Sequence, residues 1–266
     1  MSRAATGAIT VARKLSKTLV FPLGIGRTRR EGDIVILLFH RVGAGEREID
    51  LPTERFDRYV AELAQRERVV SLDDAVAPGP GGVVLSFDDG YRDLHEHVLP
   101  ALVRHRVPAI LYLATGLVAH GGLPSSGRDR LTWPALEEIV ASGLVTVGSH
   151  THSHLDLSTA TEREAEEEMR TSKDLIEDRL GTECRHFASP YSVTSAAAQR
   201  AARRLFWTAA TEAWRTNRRD RFDPYRLGRT PVLRSDGPMF FRAKARGALD
   251  GERWIYRALR RGPWGV

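Results

Sequence analysis

The chain has 266 residues, 42% hydrophobic and 28% charged, an ordinary globular composition and a length normal for one α/β barrel. A single cysteine, Cys184, excludes an internal disulfide and a cysteine-based metal site and fits a reducing compartment. The basic residues behind the net charge of +6 are nearly all Arg; the runs Arg203-Arg204, Arg218-Arg219 and Arg260-Arg261 are short and scattered, with no recognition motif beside them, so no nucleic-acid partner is expected.

Taken in chain order, the first segment is residues 1–33. Ile9, Val11, Leu15, Leu19, Val20 and Phe21 are interleaved with Arg13, Lys14 and Lys17. A secretory signal needs an uninterrupted apolar core. This pattern instead reads as a basic amphipathic helix, either packing on the domain or lying on an anionic membrane through residues 1–30. The expected location is the cytoplasm, with membrane contact at most peripheral to the inner face.

From residue 34 strands and helices alternate. Ile34 to Phe39 reads as a strand, and Thr53 as the cap of a helix carrying Phe56, Tyr59, Val60 and Leu63 at helical spacing. Asp73-Asp74 after Ser71-Leu72 reads as a helix start with nothing around it to ligate. Val83 to Phe87 is a strand, followed by a helical stretch from Tyr91 to His105 interrupted by Pro100. Ala109 to Leu113 is a strand, and residues 116–130, rich in Gly and Ser, form the loop expected to move most. Thr132 caps a helix with Pro134 in its first turn. Leu144 to Gly148 is a strand. Thr161 and Glu164 form a capping box for a helix running to Leu180 and closed by Gly181. Its acidic run, Glu162 to Glu168, reads as a solvated face. His186 to Ala188, a helix from about Ala196, and Phe206 to Ala209 continue the pattern. Repeated β-α units imply a mainly parallel sheet, open or closed, with its chemistry at the carboxyl ends of the strands.

Two motifs stand at such ends. Ser86-Phe87-Asp88-Asp89-Gly90 follows one strand, and His150-Thr151-His152-Ser153-His154 follows another. Alone, an Asp-Asp-Gly is a polar turn. Two carboxylates meeting imidazoles spaced i, i+4 are the material of a mononuclear metal site with a spare acid or base beside it.

Together the motifs resemble the polysaccharide deacetylase family, carbohydrate esterase family 4 or NodB-homology domain, whose motifs are Thr/Ser-Phe-Asp-Asp-Gly and His-Ser/Thr-x-x-His. The resemblance covers residues 34–233 and implies a distorted (β/α) barrel, with 1–33 as a separate N-terminal segment and 234–266 as a helical C-terminal extension. It implies that Asp88 is the general base and that Asp89, His150 and His154 hold one divalent ion, Zn²⁺ or alternatively Co²⁺ or Ni²⁺; His152 falls on a variable position. In the family's Arg-x-Pro-Tyr/Trp-Gly motif this chain keeps Pro190 and Tyr191, which implies a substrate-binding place for Pro190 and an oxyanion-hole role for the Tyr191 backbone N–H. Ala188 stands where Arg is usual and Ser192 where Gly is usual. Arg226 or Arg229 could replace the missing Arg. No histidine follows His186, so the family's C-terminal general acid has no counterpart. Leu38-Phe39-His40-Arg41-Val42 resembles the Tyr-His-Arg-Val first strand of a subgroup acting on poly-N-acetylglucosamine-type polymers, which moves the acid role to His40. The implied activity is removal of N-acetyl from an N-acetylated saccharide; alternatives are a carbohydrate-binding protein without activity and an amidohydrolase on a non-sugar amide. In the C-terminal extension, Phe240, Phe241, Trp254, Ile255 and Tyr256 read as helices on the barrel or as a partner surface.

Overall fold

The structure is a computed structural model that describes residues 28–43, 45–118 and 130–248. The amphipathic segment up to residue 27, the greater part of the Gly- and Ser-rich loop, and the tail bearing Trp254, Ile255 and Tyr256 lie outside the described residues.

Seven parallel strands close into a barrel: β1 (Ile34–Phe39), β4 (Gly82–Asp88), β5 (Ala109–Leu113), β6 (Val145–Ser149), β7 (His186–Ala188), β8 (Thr208–Ala213) and β9 (Leu227–Pro231), in that order. Two short strands, β2 (Arg41–Val42) and β3 (Asp50–Leu51), pair beside the mouth. Closure is made where β1 meets β9, with Leu37 opposite Thr230 and Leu38 opposite Pro231. Every residue of β1 and β4 is buried, as expected of parallel strands covered on both faces. Successive β1 side chains divide between two layers. Ile34 and Ile36 join Val84, Ile110, Tyr112, Ala188, Ala210 and Leu227, whereas Val35, Leu37 and Phe39 join the larger core shared with the helices.

The helices are α1 (Thr53–Arg66), α2 (Leu72–Val76), α3 (Leu99–His105), α4 (Trp133–Ala141), α5 (Glu162–Leu180), α6 (Ala196–Leu205) and α7 (Pro238–Ala245). Phe56, Tyr59, Val60 and Leu63 form the buried stripe of α1, and Phe56 closes an aromatic cluster with Phe39 and Phe87 at centroid distances of 5.3–5.9 Å. A π-helical turn at Leu94–Val98 leads into α3, where Pro100 occupies the first turn. Thr132 caps α4, and the Thr161–Glu164 capping box and left-handed Gly181 bound α5. α7 packs Phe241 flat on Tyr59 at 3.8 Å and buries Lys244, which pairs with Asp236 at 2.7 Å and donates to Pro231 O at 2.8 Å. The end of β9 is thereby tied to the helix that follows it.

Two expectations need correction. Thr53 is the first helical residue; the N-cap is Pro52, which supplies no side-chain bond. The strand expected over Phe206 to Ala209 begins at Thr208 and runs to Ala213. Asp73 does stand in the first turn of α2 and belongs to no candidate metal group among the described residues; it accepts from Arg185 at 3.0 Å and meets His186 Nε2 at 3.1 Å, linking α2 to β7. No helix among the described residues is long and apolar enough to cross a membrane.

Candidate active site

The carboxyl ends of β4 and β6 carry the two motifs to one rim. Asp88 is the last residue of β4, and Asp89 leaves it with φ 74°, its N–H held by Tyr112 O at 3.0 Å. Gly90 follows, also at φ 74°; a Cβ there would lie 2.5 Å from Leu113 Cδ1, so the turn requires glycine. His150 follows β6 directly, with its N–H on Leu113 O at 2.9 Å.

Asp89, His150 and His154 each offer a ligand atom, and the three atoms lie within 4.8 Å of one another. Asp89 Oδ1 is 3.2 Å from His154 Nε2 and 3.6 Å from His150 Nε2. His150 Nδ1 lies 2.7 Å from Ala188 O, so the proton resides on Nδ1 and Nε2 keeps its lone pair facing the carboxylate. Two imidazoles and a carboxylate with an open side are the donor set of a catalytic divalent-ion site, so these residues fit the expected ion. Burial raises the Asp89 carboxyl, but the His154 hydrogen bond, with the attraction His150 and His40 exert when protonated, outweighs it and holds the group ionised well below the usual range. Burial pushes His150 toward the neutral form a ligand must take.

Asp88 stands beside this triangle, its Oδ2 3.8 Å from His150 Nε2. Arg229 from β9 grips it with both guanidinium arms, Nη1 to Oδ1 at 2.6 Å and Nη2 to Oδ2 at 2.9 Å, and both side chains are almost wholly buried. Burial alone would raise the Asp88 carboxyl; the charge and hydrogen bonds of Arg229 outweigh it and keep the group ionised. The choice left open between Arg226 and Arg229 falls to Arg229 because alternate residues of a strand share a face. Leu227 faces the barrel interior, so Arg229 does too, whereas Arg226 precedes the strand and is exposed. Ala188 and Ala210, adjacent in register, line that interior with short side chains and leave room for the guanidinium. Position 188 still serves the site, through its backbone carbonyl on His150.

His40 follows β1 at the same rim, one position beyond the Phe39–Phe87 pair. It stands close enough to Asp88 and Asp89 to act electrostatically on both carboxyls. Beyond β7, Pro190 is buried at the start of a tight turn, and Tyr191 is 60% exposed with its ring edge-on to His154 at 4.7 Å. Ser192, where glycine is usual, has φ 53°. Of seven non-glycine residues with positive φ among those described, Asp89, Thr151, His154, Tyr191 and Ser192 are in this region. Each costs on the order of 1–3 kcal/mol and persists only where its surroundings over-determine it.

His152 points away from the triangle, with Nδ1 on Thr115 Oγ1 at 2.9 Å. The acidic run on α5 is not simply a solvated face. Glu162 and Glu166 pair with Arg200 and Arg204 of α6, and Glu168 binds the histidine turn, accepting His152 N–H at 2.9 Å and Ser153 N–H at 2.8 Å. Sequence reasoning missed Glu168 because nothing in the pattern of α5 distinguishes it from its acidic neighbours.

Comparison with known proteins agrees with this geometry. The polysaccharide deacetylase family profile matches residues 75–210, a little over half of the chain. YxkH of Bacillus subtilis, whose name assigns it provisionally to the polysaccharide deacetylases, is 22% identical over 160 residues, 57% of this chain; the match spans about half of that relative, 54% of its length. Among solved structures, the Streptococcus pyogenes deacetylase PplD, in complex with acetate, superposes with a TM-score of 0.70 at 20% identity, covering 80% of this chain and 98% of its own. IcaB from Ammonifex degensii gives 0.69 at 25% identity, with 83% and 98% covered. His40 and Arg229 lie outside the matched span, so their places rest on the geometry. With a closed parallel barrel, both motifs converging at one rim, and the profile over β4 to β8, the chain belongs to the polysaccharide deacetylase family.

Proposed function

We propose that the chain is a metal-dependent hydrolase that removes the acetyl group from the nitrogen of an N-acetylated amino sugar, in a polysaccharide, oligosaccharide or glycoconjugate, and releases acetate. The observation that carries this reading is a set of three donors able to hold a cation, beside a buried, ionised carboxylate. Family membership and the acetate complex of PplD support it. Zn²⁺ suits the donors best, and a bound divalent ion there would supply Lewis acidity toward the amide carbonyl and lower the pKa of the attacking water.

The chain's own residues would do the rest. Asp88 takes the proton of the water. Its oxygens each accept one bond from Arg229, and a carboxylate oxygen has a second lone pair, so Oδ2 can accept on the side facing His150. The Tyr191 N–H donates to the developing oxyanion. His40 protonates the departing nitrogen, since an amide anion is a very poor leaving group. The products are acetate and a free amino sugar.

The motive for a binding protein without activity was the missing Arg at position 188. Arg229 supplies the guanidinium at Asp88 from another strand, which removes that motive. Acetate release tests the reading: the chelated protein should release none from N-acetylglucosamine oligomers and should recover with Zn²⁺ or Co²⁺. Hydrolysis of acylated amino acids in place of every acetylated saccharide would overturn the sugar assignment.

His40→Gln tests the acid. Losing a positioned acid costs about 10²–10⁴ in rate. The variant should keep its metal, lose kcat by that order, and lose the alkaline limb of the pH–rate profile. A normal kcat with the limb intact would place the acid on another group.

A further inference from the structure

We propose that Glu168 is the positioning residue of the metal centre, its carboxylate fixing the His150–His154 turn and thereby the place of His154 Nε2. The inference rests on reading Asp89, His150 and His154 as the ligands.

The turn is held from two sides. Glu168 Oε2 accepts the N–H groups of His152 and Ser153 at 2.9 and 2.8 Å, and Oε1 accepts the Ser153 hydroxyl at 2.8 Å. Opposite, Gly116 N–H donates to His152 O at 2.7 Å and Thr115 N–H to Thr151 O at 3.4 Å. A Cβ at Gly116 would stand 2.7 Å from His152 O, so this approach needs glycine. The N–H groups of His152 and Ser153 are therefore spent on α5, and the carbonyls of Thr151 and His152 on the segment after β5.

Such holding is what the turn needs. Thr151 and His154 have φ of 65° and 63°, and a β-branched residue enters that region only under constraint. His154 meets Asp89 through Nε2, beside His150 and the Tyr191 ring, but among the described residues no backbone carbonyl anchors its Nδ1 as Ala188 O anchors that of His150. The backbone of the turn must then aim it. Glu162 and Glu166 are turned toward α6, which leaves Glu168 as the acid of this run bound to the turn.

The contacts separate reach from charge. Glu168→Gln loses the charge but can keep all three bonds: its oxygen accepts the two N–H groups, and its amide donates to Ser153 Oγ, which can accept. Glu168→Asp keeps the charge but is one methylene short. Partners that orient a metal ligand are typically worth 10–100-fold in affinity.

The test is Co²⁺ and Zn²⁺ affinity of the full chain, by competition with a chromophoric chelator, with circular dichroism to confirm the fold. Wild type should bind one equivalent, Glu168→Gln should bind nearly as tightly, and Glu168→Asp should bind about 10–100-fold more weakly with an altered Co²⁺ visible spectrum. Wild-type affinity in Glu168→Asp, or equal weakening in both variants, would overturn the positioning role while leaving the ligands in place. Absence of a stoichiometric site in wild type would instead overturn the ligand assignment, and this inference with it.

Discussion

Arg229→Met is expected to lower stability by about 3–5 kcal/mol, because it leaves the Asp88 carboxyl unpaired inside the barrel. For a chain of this size each kcal/mol is worth roughly 2–4 °C, so thermal unfolding should move down by about 6–20 °C. Asp88→Asn reverses the exposure: an amide keeps the shape and one acceptor, but the guanidinium loses its counter-charge. Its stability should also fall, and kcat should drop by about 10²–10⁴ as proton acceptance is lost, with metal content retained. Pairing the changes separates the two effects. Asp88→Leu with Arg229→Met replaces the buried ion pair by apolar groups, which is often neutral or stabilising. The double variant should recover much of the lost stability and stay inactive. Normal turnover in Asp88→Asn would make Asp88 a turn residue, and an unmoved melting temperature in Arg229→Met would show that the pair contributes no net stability.

The pair also shows what could be read in the sequence. Ala109–Leu113 is a continuous apolar run between turn signals, and its strand bounds match to the residue. The capping box of α5 is local chemistry, complete within four residues, and is likewise found where the pattern puts it. Asp88, Asp89, His150 and His154 are legible because each pair is contiguous or closely spaced and follows a buried strand. Arg229 is different. It lies 141 residues from Asp88 in a chain crowded with Arg, and its role is decided by strand phase and by the small side chains at 188 and 210. Barrel closure places it, and closure is not a local property. Glu168 escaped for the same reason: an acid on a helix face is solvated or engaged according to what the next loop brings to it. Asp73 looked like a helix-start acid, and Ser71 does cap α2 by accepting the Asp74 N–H at 3.1 Å. Its link to His186 depends on β7 arriving from more than a hundred residues away.

Replacing any one of Asp89, His150 or His154 with Ala is expected to remove stoichiometric metal and turnover together. Lewis-acid stabilisation is worth several kcal/mol, and each 1.4 kcal/mol is about tenfold in rate, so the loss should be at least about 10³. The three variants should differ in their effect on the fold. His154 is the most exposed of the three, with 19% of its side chain accessible, and its removal should leave the barrel close to wild-type stability. His150 is buried and bonded to Ala188 O, so His150→Ala opens a cavity between β6 and β7, strands joined in register only at Ser149–Phe187, and should cost stability as well as metal. Asp89→Ala removes the one anionic ligand and leaves two imidazoles that can turn toward each other, so its metal affinity should fall furthest. His152→Ala is the control. Its ring bonds Thr115 and faces away from the three donors, so metal content and kcat should stay near wild type. Metal analysis and acetate release on the same preparations read both quantities at once, and full occupancy in Asp89→Ala would move the centre off these three residues.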